Sequence, residues 1–381
     1  MATNNNNKAL NVPHLRFPEF NGEWEKCTIK DYGEVVTGNT PPTSNSEYYD
    51  NGSYLWASPA DLGISKNITE TKTKLSLSGF RKTRNIPKGS VLITCIGSTI
   101  GKMGMATETM SSNQQINSIV INDKSDSDFV YYAISRAFPR YLSEVGIQAV
   151  PILSKSNFEK LPNYTTCREE QDKIGYFLNL LDERIATQNK IIEDLKKLKS
   201  AISERLFKGI KGYTVLLSDI CDIVKGKQIN GGNLSKSGNY YVMNGGVEPS
   251  GYYNDYNVEA NTISISEGGN SCGYVQFNTF PFWSGGHCYS IQNVADNVDN
   301  LYLYHYLKSN EDAIMKLRIG SGLPNIQKKD LAIFNIKLPT FEQQKTISTF
   351  LSSLERKTKI EERIQNVMQK QKLYLLQQMF I

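Results

Sequence analysis

The sequence predicts an α/β protein arranged as a pseudo-two-fold tandem repeat: two α/β domains, each followed by a long helix, with the two helices packed together. The first observation is a helical pattern, Glu-x-Gln-x-x-Ile-x-x-Phe-Leu-x-x-Leu, that begins at Glu169 and again at Glu342. The second is that the correspondence continues without a gap to Phe207 and Phe380. The third is that residues 32–38 and 220–226 share one pattern that ends in Gly. A chain that repeats its plan once is suited to a target with two related halves.

Length and composition place the chain among globular proteins of two or three domains. Of its 381 residues, 39% are hydrophobic and 21% are charged, so it can bury cores and is neither disordered nor fibrous. The net charge of +5 permits a nucleic-acid partner without requiring one. The six cysteines are scattered, which is typical of reduced thiols in the cytoplasm. The N-terminal residues lack the apolar stretch of a signal peptide and the longest apolar stretches are strand-sized, so we expect a cytoplasmic protein without a membrane span.

The first domain is predicted over residues 13–167, after a tail at residues 1–12 that we expect to be disordered. Residues 91–96 and 116–121 are β-branched runs bounded by Gly, Asn and Ser, which is typical of strands. Residues 129–141 have helical periodicity, which predicts a short packed helix.

The first long helix is predicted over residues 168–208. Polar Gln188 and Lys199 interrupt its apolar stripe, and such residues commonly fix the register of a coiled coil. A helix of this size would be roughly 58 Å long at about 1.5 Å per residue, so it needs another helix to cover its stripe. The stripe follows alternating steps of three and four residues: Ile174, Leu178, Leu181, Ile185, Gln188, Ile192, Leu195, Lys199, Ile202 and Leu206.

The second domain is predicted over residues 209–336 and the second long helix over residues 337–381. The second helix is the natural partner of the first, so we expect the regions around Ile174 and Ile347 to lie together. The interiors of the two domains diverge, which indicates two modules of one kind with different contents. The second helix has a noisier stripe: Ile347, Leu351, Leu354, Ile364, Met368 and Leu375.

Motifs for catalysis or metal binding are weak. The segment 97–102 reads Gly-Ser-Thr-Ile-Gly-Lys, one residue too short between its glycines for a phosphate loop, so we interpret it as a Gly-rich turn between strands. The stretch 39–42, Asn-Thr-Pro-Pro, lacks the final aromatic of a base-gripping methyltransferase loop. Cys272, His287 and Cys288 lack metal-ligand spacing, and we expect His287 to be packed or hydrogen-bonded. We therefore predict no catalytic residue and no metal site in this chain.

DNA contacts are predicted on two sets of polar residues. A basic run over residues 66–88 contains a single acid and would by default be a solvated surface, but interleaved Ser, Thr and Asn side chains and the following Gly-rich turn favour phosphate contacts. Gln and Asn beside glycines in the second domain favour base contacts, since their amides pair with adenine. The candidate DNA-binding residues are Lys72, Lys74, Arg81, Lys82, Arg84, Ser98, Thr99, Lys102, Lys227, Gln228, Asn244 and Asn270.

The chain resembles the specificity subunit of a type I restriction–modification enzyme. The resemblance is carried by residues 13–20 (Pro-His-Leu-Arg-Phe-Pro-Glu-Phe) leading to Trp24, by Gly-Asn-Thr-Pro at 38–41, by the turn at 97–102 and by the repeated helices. It covers nearly the whole chain. It implies that each domain is a target-recognition domain for one half of a bipartite DNA site and that the helices form an antiparallel spacer. Half-sites separated by about one helical turn, ~34 Å, suit such a pair of modules.

The resemblance also implies partners and their cofactors. Two methyltransferase (modification) subunits would dock on the helices and contribute S-adenosylmethionine, and motor–nuclease subunits would use ATP and Mg²⁺. This chain would be non-catalytic, within a complex that is an adenine-N6 methyltransferase and an ATP-dependent endonuclease. The helix residues expected to form the spacer and docking surface are Ile174, Phe177, Leu178, Leu181, Ile347, Phe350, Leu351 and Leu354.

One alternative function remains open from the residues alone. A coiled-coil scaffold that binds proteins, without DNA specificity, would use the same helices and the many Tyr and Asn residues equally well. A self-contained methylating or restriction enzyme is disfavoured, because its motifs are missing.

Overall fold

The computed structural model describes residues 10–144, 152–320, 322 and 324–381. The chain divides into two compact units, and each unit combines one α/β domain with parts of both long helices. The first unit contains residues 1–189 and 364–381, and the second contains residues 190–363. Most of the tail expected at residues 1–12 lies outside the described residues. Asn11 is described, and its carbonyl accepts a hydrogen bond from the Trp24 amide at 2.7 Å.

The described residues of the first unit form eleven strands and the first part of a long helix. Its strands are β1 (Glu25–Thr28), β2 (Gly33–Thr37), β3 (Tyr54–Ala57), β4 (Asn67–Ile68), β5 (Thr73–Leu75), β6 (Asn85–Ile86), β7 (Val91–Thr94), β8 (Met103–Ala106), β9 (Met110–Ser112), β10 (Ile116–Ile121) and β11 (Pro162–Thr165). Its helices are α1 (Ile29–Tyr32), α2 (Leu77–Phe80), α3 (Ser127–Glu144), α4 (Lys155–Glu159) and α5 (Arg168–Gly209), whose last residues belong to the second unit.

The described residues of the second unit repeat the order of the main strands, but they form no counterpart of β4, α2 or β6. Its strands are β12 (Tyr213–Leu216), β13 (Asp222–Lys225), β14 (Tyr240–Met243), β15 (Gly251–Tyr253), β16 (Thr262–Ser266), β17 (Val275–Asn278), β18 (Trp283–Ser284), β19 (Cys288–Gln292) and β20 (Asn335–Leu338). Its helices are α6 (Leu217–Ile220), α7 (Asn300–Ser309), α8 (Glu311–Met315), α9 (Lys328–Ala332) and α10 (Phe341–Met379), whose last residues belong to the first unit.

The two domains are built on the same sheet topology. One sheet has the order β2-β10-β7-β8-β4 in the first unit and β13-β19-β16-β17 in the second. In a further sheet, β3 pairs antiparallel with β5 and parallel with β9, just as β14 pairs antiparallel with β15 and parallel with β18. In both units a strand before the domain pairs with the strand that precedes the long helix, β1 with β11 and β12 with β20. The predicted tandem repeat of two α/β domains is confirmed.

The repeated Glu-x-Gln sequence fastens each long helix to its own domain. In the first unit the Gln171 side chain accepts a hydrogen bond from the Asp126 amide (3.0 Å) and donates to the Thr166 carbonyl (2.8 Å). In the second unit Gln344 accepts from the Asp299 amide (2.9 Å) and donates to a carbonyl just before its helix. Both glutamines are buried, so the repeat preserves a polar contact as well as an apolar stripe.

The far end of each long helix is anchored by a phenylalanine. In the first unit Phe380 packs on Trp24 and Phe129, with ring centroids 5.9 and 5.4 Å away. In the second unit Phe207, at the corresponding place of the repeat, packs on Tyr302 with centroids 5.9 Å apart. Both phenylalanines are buried in the core of the domain that they meet.

Within each unit the two long helices run antiparallel. In the second unit Lys199 pairs with Glu355 (2.9 Å) and Lys196 with Glu362 (2.6 Å). In the first unit Lys372 pairs with Asp182, and the side chains of Gln365 and Asn189 are hydrogen-bonded. In both units the residue numbers fall along one helix as they rise along the other, which confirms the antiparallel arrangement.

The stripe predicted on α5 lies on the buried face of the helix as expected, since all ten of its residues are buried or half-buried. The expectation that Ile174 and Ile347 lie together was wrong. An antiparallel partner reverses direction, so Ile174 packs in one unit with Phe380 and Ile347 packs in the other unit with Phe207.

The stripe predicted on α10 was only partly right. Ile347, Leu351, Leu354, Met368 and Leu375 are buried or half-buried, but Ile364 is 39% exposed. The buried face of α10 is completed by polar residues, which an apolar pattern cannot identify: Gln344, Ser348 and Thr358.

Candidate nucleic-acid interface

The segment 81–84 between α2 and β6, which we call the basic loop, is part of the basic run 66–88 and is held in place by Asn39. Its side chain donates a hydrogen bond to the Lys82 carbonyl (2.9 Å) and accepts one from the Arg84 amide (2.8 Å). The Arg84 guanidinium also donates to the Thr37 carbonyl at 2.8 Å. Because the backbone is fixed at both residues, the exposed Lys82 side chain and the rest of the Arg84 guanidinium project from a defined loop.

The other basic candidates within residues 66–88 differ in their surroundings. Lys72 is exposed, and its amide donates to the Asp61 carboxylate at 2.8 Å. Arg81 is exposed at the end of α2. Lys74 is half-buried and pairs with Glu70 at 2.8 Å, so part of its charge is already compensated. Lys72, Arg81, Lys82 and Arg84 are therefore the exposed members of the predicted basic set.

The segment 97–102 is the turn that joins β7 to β8, as the sequence predicted. Ser98 and Lys102 are exposed and Thr99 is half-buried. Gly101 has a φ of +89°, and a Cβ there would lie 2.6 Å from the Phe138 ring, so this position requires glycine. The turn joins two strands and precedes no helix, which excludes the phosphate-loop arrangement of strand, loop and helix.

In the second domain the structure brings three polar loops together. The Asn244 side chain accepts a hydrogen bond from the His287 amide at 3.1 Å, and Gln228 packs over Gly286. Lys227 is exposed, and its amide donates to the Ser284 carbonyl at 2.9 Å. The side chains of Asn244 and Gln228 and the backbone of Lys227 therefore meet at the turn 285–287 between β18 and β19.

Asn270 lies in the turn between β16 and β17 and is exposed. This turn corresponds to the one between β7 and β8 in the first domain, since the strands on either side occupy the same places in the sheet. Nearby, Lys225 pairs with the largely buried Glu267 at 2.6 Å, and the Tyr289 hydroxyl donates to the same carboxylate. The charge of Lys225 is therefore compensated by Glu267 of the same domain.

Metal binding finds no support in the part of the chain that the structure describes, where no group of three or more His, Cys, Asp and Glu side chains could hold an ion. The Cys272 thiol donates to the Glu267 carbonyl at 2.9 Å. Burial raises the pKa of Cys288 to about 11, which disfavours the thiolate that a metal would need. Across the same described residues, no helix has the length and apolarity needed to cross a bilayer.

Sequence reasoning missed three residues of these surfaces. Asn39 was named only within the sequence motifs at 38–41 and 39–42, although its side chain fixes the backbone at Lys82 and Arg84. Gln114 is exposed in the turn between β9 and β10, and the Thr40 hydroxyl donates to its side-chain oxygen at 2.5 Å. His287 was expected to be packed or hydrogen-bonded, but its side chain is exposed and its backbone amide makes the contact with Asn244. The polar run at 113–115 marks a turn before a strand, but its contact with Thr40 joins residues far apart in sequence.

The family model for the type I restriction modification DNA specificity domain matches the chain twice, over residues 21–197 and 212–370. The HindI specificity subunit of Haemophilus influenzae is 29% identical over 46% of this chain and 39% of its own length. The MjaIX specificity subunit of Methanocaldococcus jannaschii is 32% identical over 49% of this chain and 44% of its own length. The chain thus spans under half of each of these two relatives. A crystal structure of a type I restriction–modification S subunit from M. genitalium superposes with a TM-score of 0.71 at 19% identity, over 97% of this chain and 99% of that one, which shows a common fold.

Proposed function

Because this chain belongs to the family of type I restriction–modification DNA specificity domains, and carries that domain twice, we propose that it is the DNA-recognition subunit of a type I restriction–modification complex. Each α/β domain reads one half of a bipartite DNA site. The paired helices set the gap between the half-sites and dock the methyltransferase subunits. The observation that carries the proposal is that two domains of one topology present different polar side chains on equivalent loops.

The exposed side chains supply the chemistry for this role. Lys72, Arg81, Lys82 and Lys102 would contact phosphates, which gives affinity and orientation without sequence preference. The side-chain amides of Gln228, Asn244 and Asn270, which lie on Gly-rich loops, would reach base edges, where sequence is read. A modest net charge suits a subunit whose partners add phosphate contacts of their own.

The partners and cofactors are part of the proposal. Two modification subunits bring S-adenosylmethionine and the catalytic loop, and motor–nuclease subunits bring ATP and Mg²⁺. This chain positions the DNA and catalyses no step itself. The exposed apolar residues on the long helices, Phe350 among them, are the proposed docking contacts for the modification subunits. The six free cysteines are consistent with assembly in the cytoplasm.

The test is DNA binding by the full chain in complex with its methyltransferase subunits. The genomic methylation motif of the host identifies the bipartite site, and fluorescence anisotropy then compares that duplex with a random one. We expect tight binding of the bipartite duplex, with an affinity that falls steeply between 50 and 200 mM salt, by about 10³-fold or more if six or more phosphates are contacted. Equal affinity for both duplexes would overturn the proposal and favour the protein-binding scaffold.

A domain exchange tests the division of labour. Replacing residues 213–336 with the corresponding segment of another specificity subunit should change one half-site and leave the other as it was. Altered specificity at both half-sites, or at neither, would contradict the assignment of one half-site to each domain.

A further inference from the structure

Two loops meet in the same way in both domains. In the first domain the Gly38 amide donates to the Ile116 carbonyl (3.1 Å) and the Asn39 amide to the Ser112 carbonyl (2.9 Å). In the second domain Gly226 and Lys227 make the same pair of hydrogen bonds, to the carbonyls of Cys288 and Ser284, both at 2.9 Å. These contacts align the two domains residue by residue at this point. They make Thr40 equivalent to Gln228, and Gln114 equivalent to Gly286.

At the aligned positions, the glutamine lies on one loop in the first domain and on the other loop in the second domain. In the first domain Gln114 supplies an amide from the turn between β9 and β10, and the small Thr40 faces it with a hydroxyl. In the second domain the turn carries Gly286, and the loop after β13 supplies the amide of Gln228 instead. A Cβ at position 286 would overlap the Gln228 side-chain oxygen, so Gln228 occupies the space that a side chain on the turn would take.

We propose that Gln114 and Gln228 are equivalent base-reading residues, one in each domain, and that each selects an A·T pair in its half-site. The proposal rests on the DNA-recognition function proposed above. A glutamine amide can accept from adenine N6 and donate to N7, which gives bidentate recognition in the major groove. Both glutamines are exposed, so their amides are accessible to a duplex.

The contact with Thr40 prepares Gln114 for this role. A carboxamide oxygen can accept two hydrogen bonds, so the Thr40 hydroxyl uses one and leaves the other for adenine N6. The contact restricts the rotamers of a flexible side chain before DNA arrives, which reduces the ordering cost of binding. In the second domain the glycine at 286 serves the same end by leaving room for Gln228. The domains diverge in most of their loops, yet both place a glutamine amide where these two loops meet. The first domain supplies it from the turn between β9 and β10, and the second supplies it from the loop after β13.

The test uses the full chain in complex with its methyltransferase subunits and measures binding to the bipartite duplex with each base pair changed in turn. We expect Gln114→Ala to weaken binding of the natural duplex by roughly 5- to 150-fold and to abolish discrimination at one A·T pair of one half-site. Gln228→Ala should do the same in the other half-site only. Gly286→Ala, which displaces the Gln228 amide without removing it, should resemble Gln228→Ala.

Two further variants keep the test independent of folding. Gln114→Glu preserves size and can accept from cytosine N4, so it should shift the preference at that position from A·T toward C·G. Lys72→Ala is the matched control: it should weaken all duplexes alike and leave the pattern of discrimination unchanged. Full discrimination at every position in both glutamine variants would overturn the inference while leaving the proposed function intact. A wild-type complex without any sequence preference would instead refute the proposed function.

Discussion

Replacing Lys199 by Met should destabilise the second unit, because it removes the lysine of a largely buried ion pair. Lys199 and Glu355 lie on α5 and α10, with side chains only 24% and 22% exposed. Burial of the Glu355 carboxyl raises its pKa, but the hydrogen bonds and charges of Lys199 and then Lys359 outweigh burial, and the net pKa lies below its ordinary value of 4.5. The ion pair therefore stabilises the folded chain above about pH 4.5.

The magnitude follows from burial. Breaking a fully buried pair costs about 3–5 kcal/mol, and an exposed pair contributes about 0–1 kcal/mol. The carboxylate of Glu355 keeps Lys359 at 3.2 Å and the Tyr304 hydroxyl at 3.4 Å, so we expect an intermediate loss of about 2 kcal/mol. For a unit of this size, that loss lowers Tm by about 4–8 °C.

The assay is differential scanning calorimetry of the full chain at pH 7, with Lys197→Met as the matched control. Lys197 is on the same helix and pairs with Glu193 at 2.6 Å, but both side chains are more than 60% exposed. We expect the control to lower Tm by about 1 °C or less. As the pH falls through the lowered pKa of Glu355, its carboxylate is protonated, so the difference between Lys199→Met and wild type should shrink. Equal effects of the two variants at pH 7 would refute the reasoning.

Three further variants test the core and the turns. Burial lowers the pKa of His305 to about 4. The free energy of unfolding of the second unit therefore decreases by up to roughly 3 kcal/mol as the pH falls from 6.5 to 4. His305→Asn should reduce this decrease, as measured by urea titrations at several pH values. Gly101→Ala should cost about 2–4 kcal/mol in the same titrations, because a positive φ and the Phe138 ring both oppose a Cβ. Phe380→Ala should lower the free energy of unfolding by about 3–5 kcal/mol, since it removes the ring that packs on Trp24 and leaves a cavity.

Each of these variants has a matched control. His287→Asn, at an exposed position, is the control for His305→Asn. Gly22→Ala keeps a positive φ of +81°, but a Cβ there meets no atom of the described residues within 4 Å, so it should cost only about 1–2 kcal/mol. Phe350→Ala removes a ring that is 45% exposed and should cost under about 1.5 kcal/mol. A control that matches its core variant would contradict the assigned cause.

Much of the fold could be predicted from the sequence because helix periodicity is local. The stripe of α5 was identified residue by residue, and even polar Gln188 and Lys199 were placed correctly on its buried face. The stripe of α10 was predicted less well, since its buried face uses Ser348 and Thr358, whose residue types give no apolar signal. Their burial depends on the partner helix.

The candidate site could be predicted only in part. Exposed basic residues such as Lys82 follow from composition and spacing, but the loop geometry depends on Asn39, which contacts it across more than forty residues. Gln114 and Gln228 could not be recognised as equivalent, because they occupy different positions in the two halves of the repeat. Only the aligned backbone hydrogen bonds reveal their common place.

The sequence by itself determined the duplication, the two long helices and the main strands, because each of these is specified by periodicity and composition over a few turns or residues. The tertiary structure decided which helix segments face each other and which loop tips meet. Those contacts join residues such as Lys199 and Glu355, or Thr40 and Gln114, that are distant in sequence. Antiparallel helix packing and sheet pairing bring them together, and no local pattern records the partner.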